Sequence, residues 1–463
     1  MVFPKVSCQL AGPFVIIRKW TKSSHERSRL RDVAQVVQGP APAPRSRPCQ
    51  GSSNNHDRDH GYAQSLFDSF LELGGAGIDH QQTDNMIEDA KPMTDLKASI
   101  VKCCEAIAAN ATTQAYALVS ELRDKSSSTG TTVERLAFYF SEALIARITG
   151  TGRLLYNTFK SRRTIDETLQ IFATVAQTSP GFGLPIFFTN QTILDETSSA
   201  ARVHVVDFGI GPGYRWLCLI KDFSERSGGP PHFRVTAVDR PSNSLFFPRE
   251  DVGGKLERYA SSLGVPFEFH SVVTAEWDSI QSSQLMIQPE EVLIVTSFHE
   301  LRELSNDSKR RFLRNIHGME PKLFLNAAFP PVGFNSPSLV ARAREAFDFH
   351  AGVFEAIAAS LAESRFAGER RFLEQLRGLE ILNTVACEGE DRVKRPEGYK
   401  QWHELMRGAG FQGYEIKRHV YAGAKQMLAT YSSAREFSVG RSGNWILLRR
   451  NGQVLIAISN WTC

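Results

Sequence analysis

An α/β fold, with a mostly parallel sheet closed by a C-terminal antiparallel hairpin and preceded by a helical cap, is predicted for this 463-residue chain by three observations. From Arg202 onward, continuous apolar strand runs alternate with helical segments, as a parallel sheet covered on both faces requires. Near the end, WILLRRNGQVLIAISNW holds two strand runs joined at Asn451-Gly452, a dipeptide that supplies the positive φ angles of a two-residue hairpin turn. Upstream of the strands, apolar residues recur at helical spacing and need a neighbour to cover them.

Taken in order, residues 1–93 form an arm expected to be largely disordered: APAPRSRP and GSSNNHDRDH lack the apolar periodicity that a core needs. Within it, SLFDSFLEL (Ser65 to Leu73) is a short acidic and aromatic patch, read as a weak local helix or a partner-binding one. Order is expected from about Thr94, with one amphipathic helix over Ala98 to Leu122 and another over Val133 to Ile148, packed together as a cap. RVHVVDF, FRVTAVD, FEFHSVV, EVLIVTSF and KLFLNAAF then read as strands. GYRWLCLIKDF, DVGGKLERYASSLG and KRRFLRNIHGM read as helices between them. A parallel sheet finished by a hairpin is the plan of the class I methyltransferases, a Rossmann-like core, although fold alone does not establish activity.

Composition narrows the function classes. With 54 Lys+Arg against 50 Asp+Glu, the net charge of +4 is too small for this length to advertise a nucleic-acid-binding field. The 7 cysteines include no CxxC pair, so neither a zinc site nor a disulfide framework is expected, and Cys103, Cys104, Cys218 and Cys387 are read as small buried hydrophobes. No apolar run approaches the roughly 18–20 residues that span a bilayer, so no membrane partner is expected. AGPFVII followed by RKWTK lacks a small-residue cleavage site and does not read as a secretory signal.

The stretch VHVVDFGIGPGYRW places Asp207 at the end of the first strand and Gly209, Gly211 and Gly213 before a helix. Glycine lets backbone approach a ligand closely. Asp239 closes the second strand, where an acid can accept hydrogen bonds from ribose hydroxyls. An acid closing each of the first two strands around a glycine turn resembles the S-adenosylmethionine site of methyltransferases. The alternative is that Asp207 caps the following helix or turn and the glycines only tighten a corner, with Pro212 removing one N–H from any ligand. His299 and Glu300 follow the fourth strand run, where either could act as a base or simply open a helix toward solvent. No nucleophile motif, phosphate loop or metal-ligand cluster is visible.

Several blocks in one order resemble the GRAS family of plant regulators. VHVVD, comprising Val203, His204, Val205, Val206 and Asp207, matches the family's VHIID block, which Trp216 and GGPPHFRVTAVDRP continue. ERRFLEQLRGLEILNTVACEGEDRVKRPEGYKQWHELMRGAGF, from Glu369 to Phe411, matches its C-terminal blocks, and Ser459, Asn460 and Trp461 stand at its SAW block. VKCCEAIAANATTQAYALVSELRD and VERLAFYFSEALIARI are similar to its first leucine-rich region. On this resemblance residues 94–463 form the GRAS domain. Its parts are a first leucine-rich region at 94–150, a VHIID region at 170–240, a second leucine-rich region at 251–283, a PFYRE-like region at 291–385 and a SAW region at 386–463.

The resemblance implies a nuclear or nucleocytoplasmic transcriptional regulator of the SCARECROW-like type, not the DELLA type. Such a protein would be non-catalytic, without a cofactor, and would act through DNA-binding transcription factors and other GRAS proteins, as homo- or heterodimers, with DNA contact mainly indirect. The alternative is an S-adenosylmethionine-dependent methyltransferase using the DFGIGPG turn. Three departures bear on the implied partner surfaces: Tyr214-Arg215 stands where glutamine commonly precedes the tryptophan, the region after the fifth strand lacks an expected acid, and residues 256–273 are poor in leucine. Trp402, Trp445 and Trp461 are expected in the core, and Arg392 and Arg395 are expected to pair with Glu388 and Glu397.

Overall fold

A computed structural model describes residues 90–158, 163–241, 251–328 and 334–463. The arm and its Ser65 to Leu73 patch lie outside the described residues.

The cap begins with α1 (Ala90–Ala108) and α2 (Thr112–Asp124). The periodicity from Ala98 to Leu122 predicts one helix; the chain instead breaks at Asn110, whose φ of 56 is left-handed and cannot continue an α-helix. Next comes α3 (Thr132–Thr149), opened by a capping box in which Glu134 N–H donates to Thr131 Oγ1 at 3.3 Å and Thr131 N–H donates to Glu134 Oε2 at 2.7 Å. It is followed by α4 (Gly152–Thr158), α5 (Ile165–Thr178) and α6 (Pro180–Glu196), the last two meeting at 92°. Among the described residues no single helix is long and apolar enough to cross a membrane.

The alternation that follows is β1 (Arg202–Phe208), α7 (Tyr214–Ser224), β2 (His232–Asp239), α8 (Val252–Ser262), β3 (Phe267–Val273), β4 (Val292–Phe298), α9 (Asn306–His317) and β5 (Leu323–Ala328). Then come α10 (Leu339–Ser360), α11 (Ala367–Val385), α12 (Tyr399–Gly408), β6 (Gln412–Gly413), α13 (Arg418–Ala429), β7 (Phe437–Ser442), β8 (Trp445–Arg450) and β9 (Gln453–Thr462). The sheet order is β3-β2-β1-β4-β5-β9-β8-β7, with β6 paired to β9. Strands β1 to β5 run parallel, while β9, β8 and β7 pair antiparallel. This mixed sheet, methyltransferase-like in order, is the one predicted. The hairpin turns at Asn451 (φ 48) and Gly452 (φ 82) as its dipeptide requires, and β7 extends it to three strands.

Period-two alternation assigns each strand residue to a face. Val203 and Val205 pack with Trp216, Leu219 and Leu256 under α7 and α8, whereas Val206 and Phe208 pack with Phe312 and Trp461 on the α9 and α12 side. A third core lies in the cap, where Ile100, Leu136, Phe140 and Leu144 meet Phe347, Phe354 and Leu382. The cap is therefore built from two separate stretches of the chain: α10 and α11, which follow β5, pack with the helices that precede β1. The buried pair Arg135–Glu374, at 3.0 Å, ties α3 to α11 inside it. Cys103, Cys104, Cys218 and Cys387 are buried, as expected of small hydrophobes.

Candidate functional site

Beyond β1 the chain turns through Gly209 (φ 93), Gly211 (φ 57) and Gly213 (φ 76), all in the left-handed region that only glycine adopts without strain. Two of the three have a packing reason as well. A Cβ on Gly209 would stand 2.4 Å from Glu300 Cγ, and one on Gly213 would stand 2.9 Å from Val252 Cγ1 at the start of α8.

Asp207 is fully buried and serves neither as a helix cap nor as an open ligand. Its Oδ2 accepts from Arg215 Nη2 at 2.9 Å and Trp216 Nε1 at 2.8 Å, and its Oδ1 accepts from Thr296 Oγ1 at 2.8 Å. The carboxylate thus ties β1 to α7 and β4 through charge-assisted bonds. Arg215, where the family pattern departs, lies over the rings of Trp216 (4.4 Å) and Phe298 (3.7 Å). Asp239 ends β2 and lines a cleft of about 500 Å³ together with Gly209 and Gly211.

The cleft runs along the C-terminal edge of β1, β2 and β4, where open α/β sheets bind ligands, and α6, α10 and α11 of the cap cover it. His299 caps and Glu300 opens a short 3-10 helix, Glu300–Glu303, as one of the two readings expects, and both half-buried residues line the cleft. Burial, with Arg302 beside it, pulls the His299 imidazole well below its usual range and keeps it uncharged at neutral pH. At the cap side Glu380 accepts from Arg302 Nη1 at 2.6 Å and from Arg377 Nη1 at 2.8 Å. Burial pushes the Glu380 carboxyl up, but Arg377 and Arg302 outweigh it and hold it well below the usual carboxylate range. Lys394 Nζ lies 3.8 Å from Glu303. Sequence reasoning missed this ion cluster; its one local signal is Arg377 and Glu380 at helical i,i+3 spacing in α11.

An adenosyl cofactor here would need open backbone at the glycine turn and an acid facing the ribose. Asp239 lines the cleft and meets the second need. Gly209 and Gly211 line it too, although Glu300 fills the space that a Cβ on Gly209 would take and both oxygens of Asp207 are engaged. Asp239 and the backbone of the turn are what would meet such a cofactor, and no methyl-transfer step follows from them. Among the described residues no group of three or more His, Cys, Asp or Glu side chains is placed to hold a metal ion.

The motif residues elsewhere are structural. His204 bonds Thr236 Oγ1 at 2.8 Å, and burial, with Arg234 nearby, pulls its imidazole down to about 3. Val203, Val205 and Val206 are core. Ser459 Oγ accepts from Trp461 Nε1 at 2.7 Å, Trp461 meets Trp445 edge to face at 6.2 Å, and Asn460 accepts on its carbonyl from Asn444 Nδ2 at 2.7 Å. Trp402, Trp445 and Trp461 are all buried, as expected. The expected pairing of Arg392 and Arg395 with Glu388 and Glu397 is corrected. Glu388 binds Arg147 (2.9 Å) and Arg342, and Glu397 binds Lys309 (3.3 Å). Arg392 donates to the Phe334 carbonyl at 3.1 Å, and Arg395 donates to the Gly389 carbonyl. In this irregular stretch neighbouring side chains diverge, and cations on α3, α9 and α10 reach the acids first.

Residues 96–462 match the GRAS domain family. The chain is 32% identical over 393 residues to Scarecrow-like protein 14 of Arabidopsis thaliana, covering 82% of this chain and 50% of that protein. With Scarecrow-like protein 11 of the same plant it shares 33% identity over 382 residues, 79% of this chain and 62% of the relative. This chain therefore spans about half to three-fifths of the length of these relatives. Among solved structures, SCL7 of Oryza sativa superposes with a TM-score of 0.64 at 26% identity, over 79% of this chain and 99% of that one.

Proposed function

The chain belongs to the GRAS domain family of plant regulators, of the Scarecrow-like type, and from that premise we propose that it is a non-catalytic transcription regulator working in the nucleus. It acts through protein partners, namely DNA-binding transcription factors and other GRAS proteins, with dimers among its assemblies and DNA reached mainly through those partners. The observation that carries the non-catalytic part is Asp207: the acid of the VHIID block spends both oxygens on Arg215, Trp216 and Thr296. Affinity purification from plant nuclei, followed by binding assays between purified proteins, tests the partner reading. Direct binding to at least one DNA-binding factor or GRAS protein is expected. Exclusion of a fluorescent fusion from the nucleus, or failure of every purified candidate to bind, would overturn it.

A second reading, an S-adenosylmethionine-dependent methyltransferase, draws on Asp239, Gly209 and Gly211, which all line the cleft. Calorimetry separates the two. Saturable S-adenosylmethionine binding that Asp239→Ala abolishes would favour the enzyme, and no heat at millimolar ligand would leave the regulator.

A further inference from the structure

Among the sequence motifs, the acidic and aromatic patch ahead of the cap is left without a role by the regulator reading. Its core, LFDSFLEL at 66–73, holds five apolar side chains in eight residues. Phe67, Phe70 and Leu71 stand at i, i+3 and i+4, while Asp68 and Glu72 fall on another side of the same pattern. This is the sequence pattern of a segment that lays an apolar stripe into a groove.

The cleft offers such a groove. Its volume of about 500 Å³ has room for a few side chains rather than for a folded partner. Phe182 and Ile186 of α6, Val353 of α10 and Leu376 of α11 line it and are only half-buried, so its cap side keeps exposed apolar surface.

The start of α1 lies close to that surface. Lys97 binds Asp348 at 2.6 Å, whereas Glu105, further along α1, lies 3.6 Å from Arg344, further back along α10, so the two helices run antiparallel. From Lys97 back to Ala90, α1 therefore advances past Asp348 by about 10 Å, which brings Ala90 level with Val353 and Ile357 of the cleft wall. The carbonyl of Asp348 also accepts from Gln453 Nε2 at 2.9 Å, two residues before Leu455 of that wall. Residues 74–89 join the patch to α1 and span at most about 58 Å when extended, so the patch can reach the cleft of its own chain. A tether of this length holds it there at roughly millimolar local concentration.

We propose that residues 66–73 dock in the cleft of the same chain as an intramolecular plug, with Phe67 and Phe70 seated between α6, α10 and α11. The plug shields apolar surface that would otherwise meet water, and it closes the cap side of the cleft until it is displaced. It makes no demand on Asp239 or on the glycine turn, so it is independent of both readings of function.

The test compares the purified full chain with a variant carrying Phe67→Ser and Phe70→Ser. Hydrogen exchange around Phe182, Ile186 and Leu376 should be at least about tenfold faster in the variant. Nile red, an uncharged apolar dye, should bind the variant at least about tenfold more tightly than wild type, and a synthetic peptide of residues 65–73 should displace it. Leu376→Trp added to the variant should remove that gain by filling the cleft, and Ile186→Trp serves in its place if circular dichroism shows the first to be unfolded. Equal exchange in the two proteins, a dye affinity that does not rise, or a gain that survives a folded cleft-filling substitution would each overturn the proposal. Protection that grows with protein concentration would assign the contact to a second copy and would overturn the intramolecular plug.

Discussion

Replacing Glu380 by glutamine removes one charge from the junction of cap and sheet while keeping the side chain's shape. Glu380 sits between Arg302 Nη1 at 2.6 Å and Arg377 Nη1 at 2.8 Å, and all three side chains are close to nine-tenths buried. The glutamine carbonyl can still accept one bond, but its amide must face the other guanidinium, and two buried cations lose the carboxylate they share. Removing one partner of a buried ion pair costs about 3–5 kcal/mol, and that range is the expected loss in urea unfolding of Glu380→Gln. The pH dependence supplies a second signature. The folded-state pKa of Glu380 is depressed, so its contribution is fully present above the ordinary carboxylate value and is lost as pH falls below it. The gap between wild type and Glu380→Gln should therefore narrow from pH 5 toward pH 3. Replacing Arg302, Arg377 and Glu380 together by apolar residues of similar volume should recover much of the loss. A glutamine variant within about 0.5 kcal/mol of wild type at pH 7 would refute the idea that this triad is an integral tie between cap and sheet.

Three further expectations follow from single residues. Asp207→Asn turns an amide toward the donors Arg215, Trp216 and Thr296 and should cost about 2–3 kcal/mol in equilibrium unfolding, with the indole fluorescence of Trp216 altered. Gly209→Ala combines a φ of 93 with a Cβ 2.4 Å from Glu300 Cγ. It should cost at least about 1–3 kcal/mol, and pairing it with Glu300→Ala should relieve the clash but not the backbone strain, so a double-mutant cycle shows partial rescue. His350 is fully buried with no protein partner at either ring nitrogen, and burial pulls its imidazole down to about 3 from 6.5. Because the unfolded chain takes up that proton first, this residue's share of stability is full above pH 6.5 and declines toward pH 3. His350→Phe should be more stable than wild type at pH 5 and should flatten that slope; equal slopes in the two proteins would rule out the assignment.

Much of the core was legible because its signals are local. Strand runs with period two, helix runs with period 3.6 and the Asn451-Gly452 turn each depend on neighbours a few residues away, and each element appears where its pattern stands. Asn110 was missed because the apolar rhythm of α1 resumes in α2, and one left-handed residue does not interrupt a periodicity. The pairing of Arg392 and Arg395 with adjacent acids was wrong for the opposite reason. Closeness along an irregular segment says little about which side chains meet, and Arg342 and Lys309 reach Glu388 and Glu397 from helices about 46 and 88 residues away.

For the glycine turn, sequence could state the conformational need but not who fills the space. That Gly209, Gly211 and Gly213 adopt left-handed φ values follows from residue type. That Glu300 packs on Gly209, or that Thr296 engages Asp207, depends on β4 lying beside β1, a pairing between segments about 90 residues apart. By itself the sequence determined the family, the alternation of elements and the antiparallel finish, since these rest on composition and short-range pattern. Only the tertiary structure decided that α10 and α11 return to the cap, that three charged side chains bind the cap to the sheet, and that an apolar cleft lies between them. Those features arise from burial and from contacts between distant segments, and burial is a property of the packed chain that no local window contains.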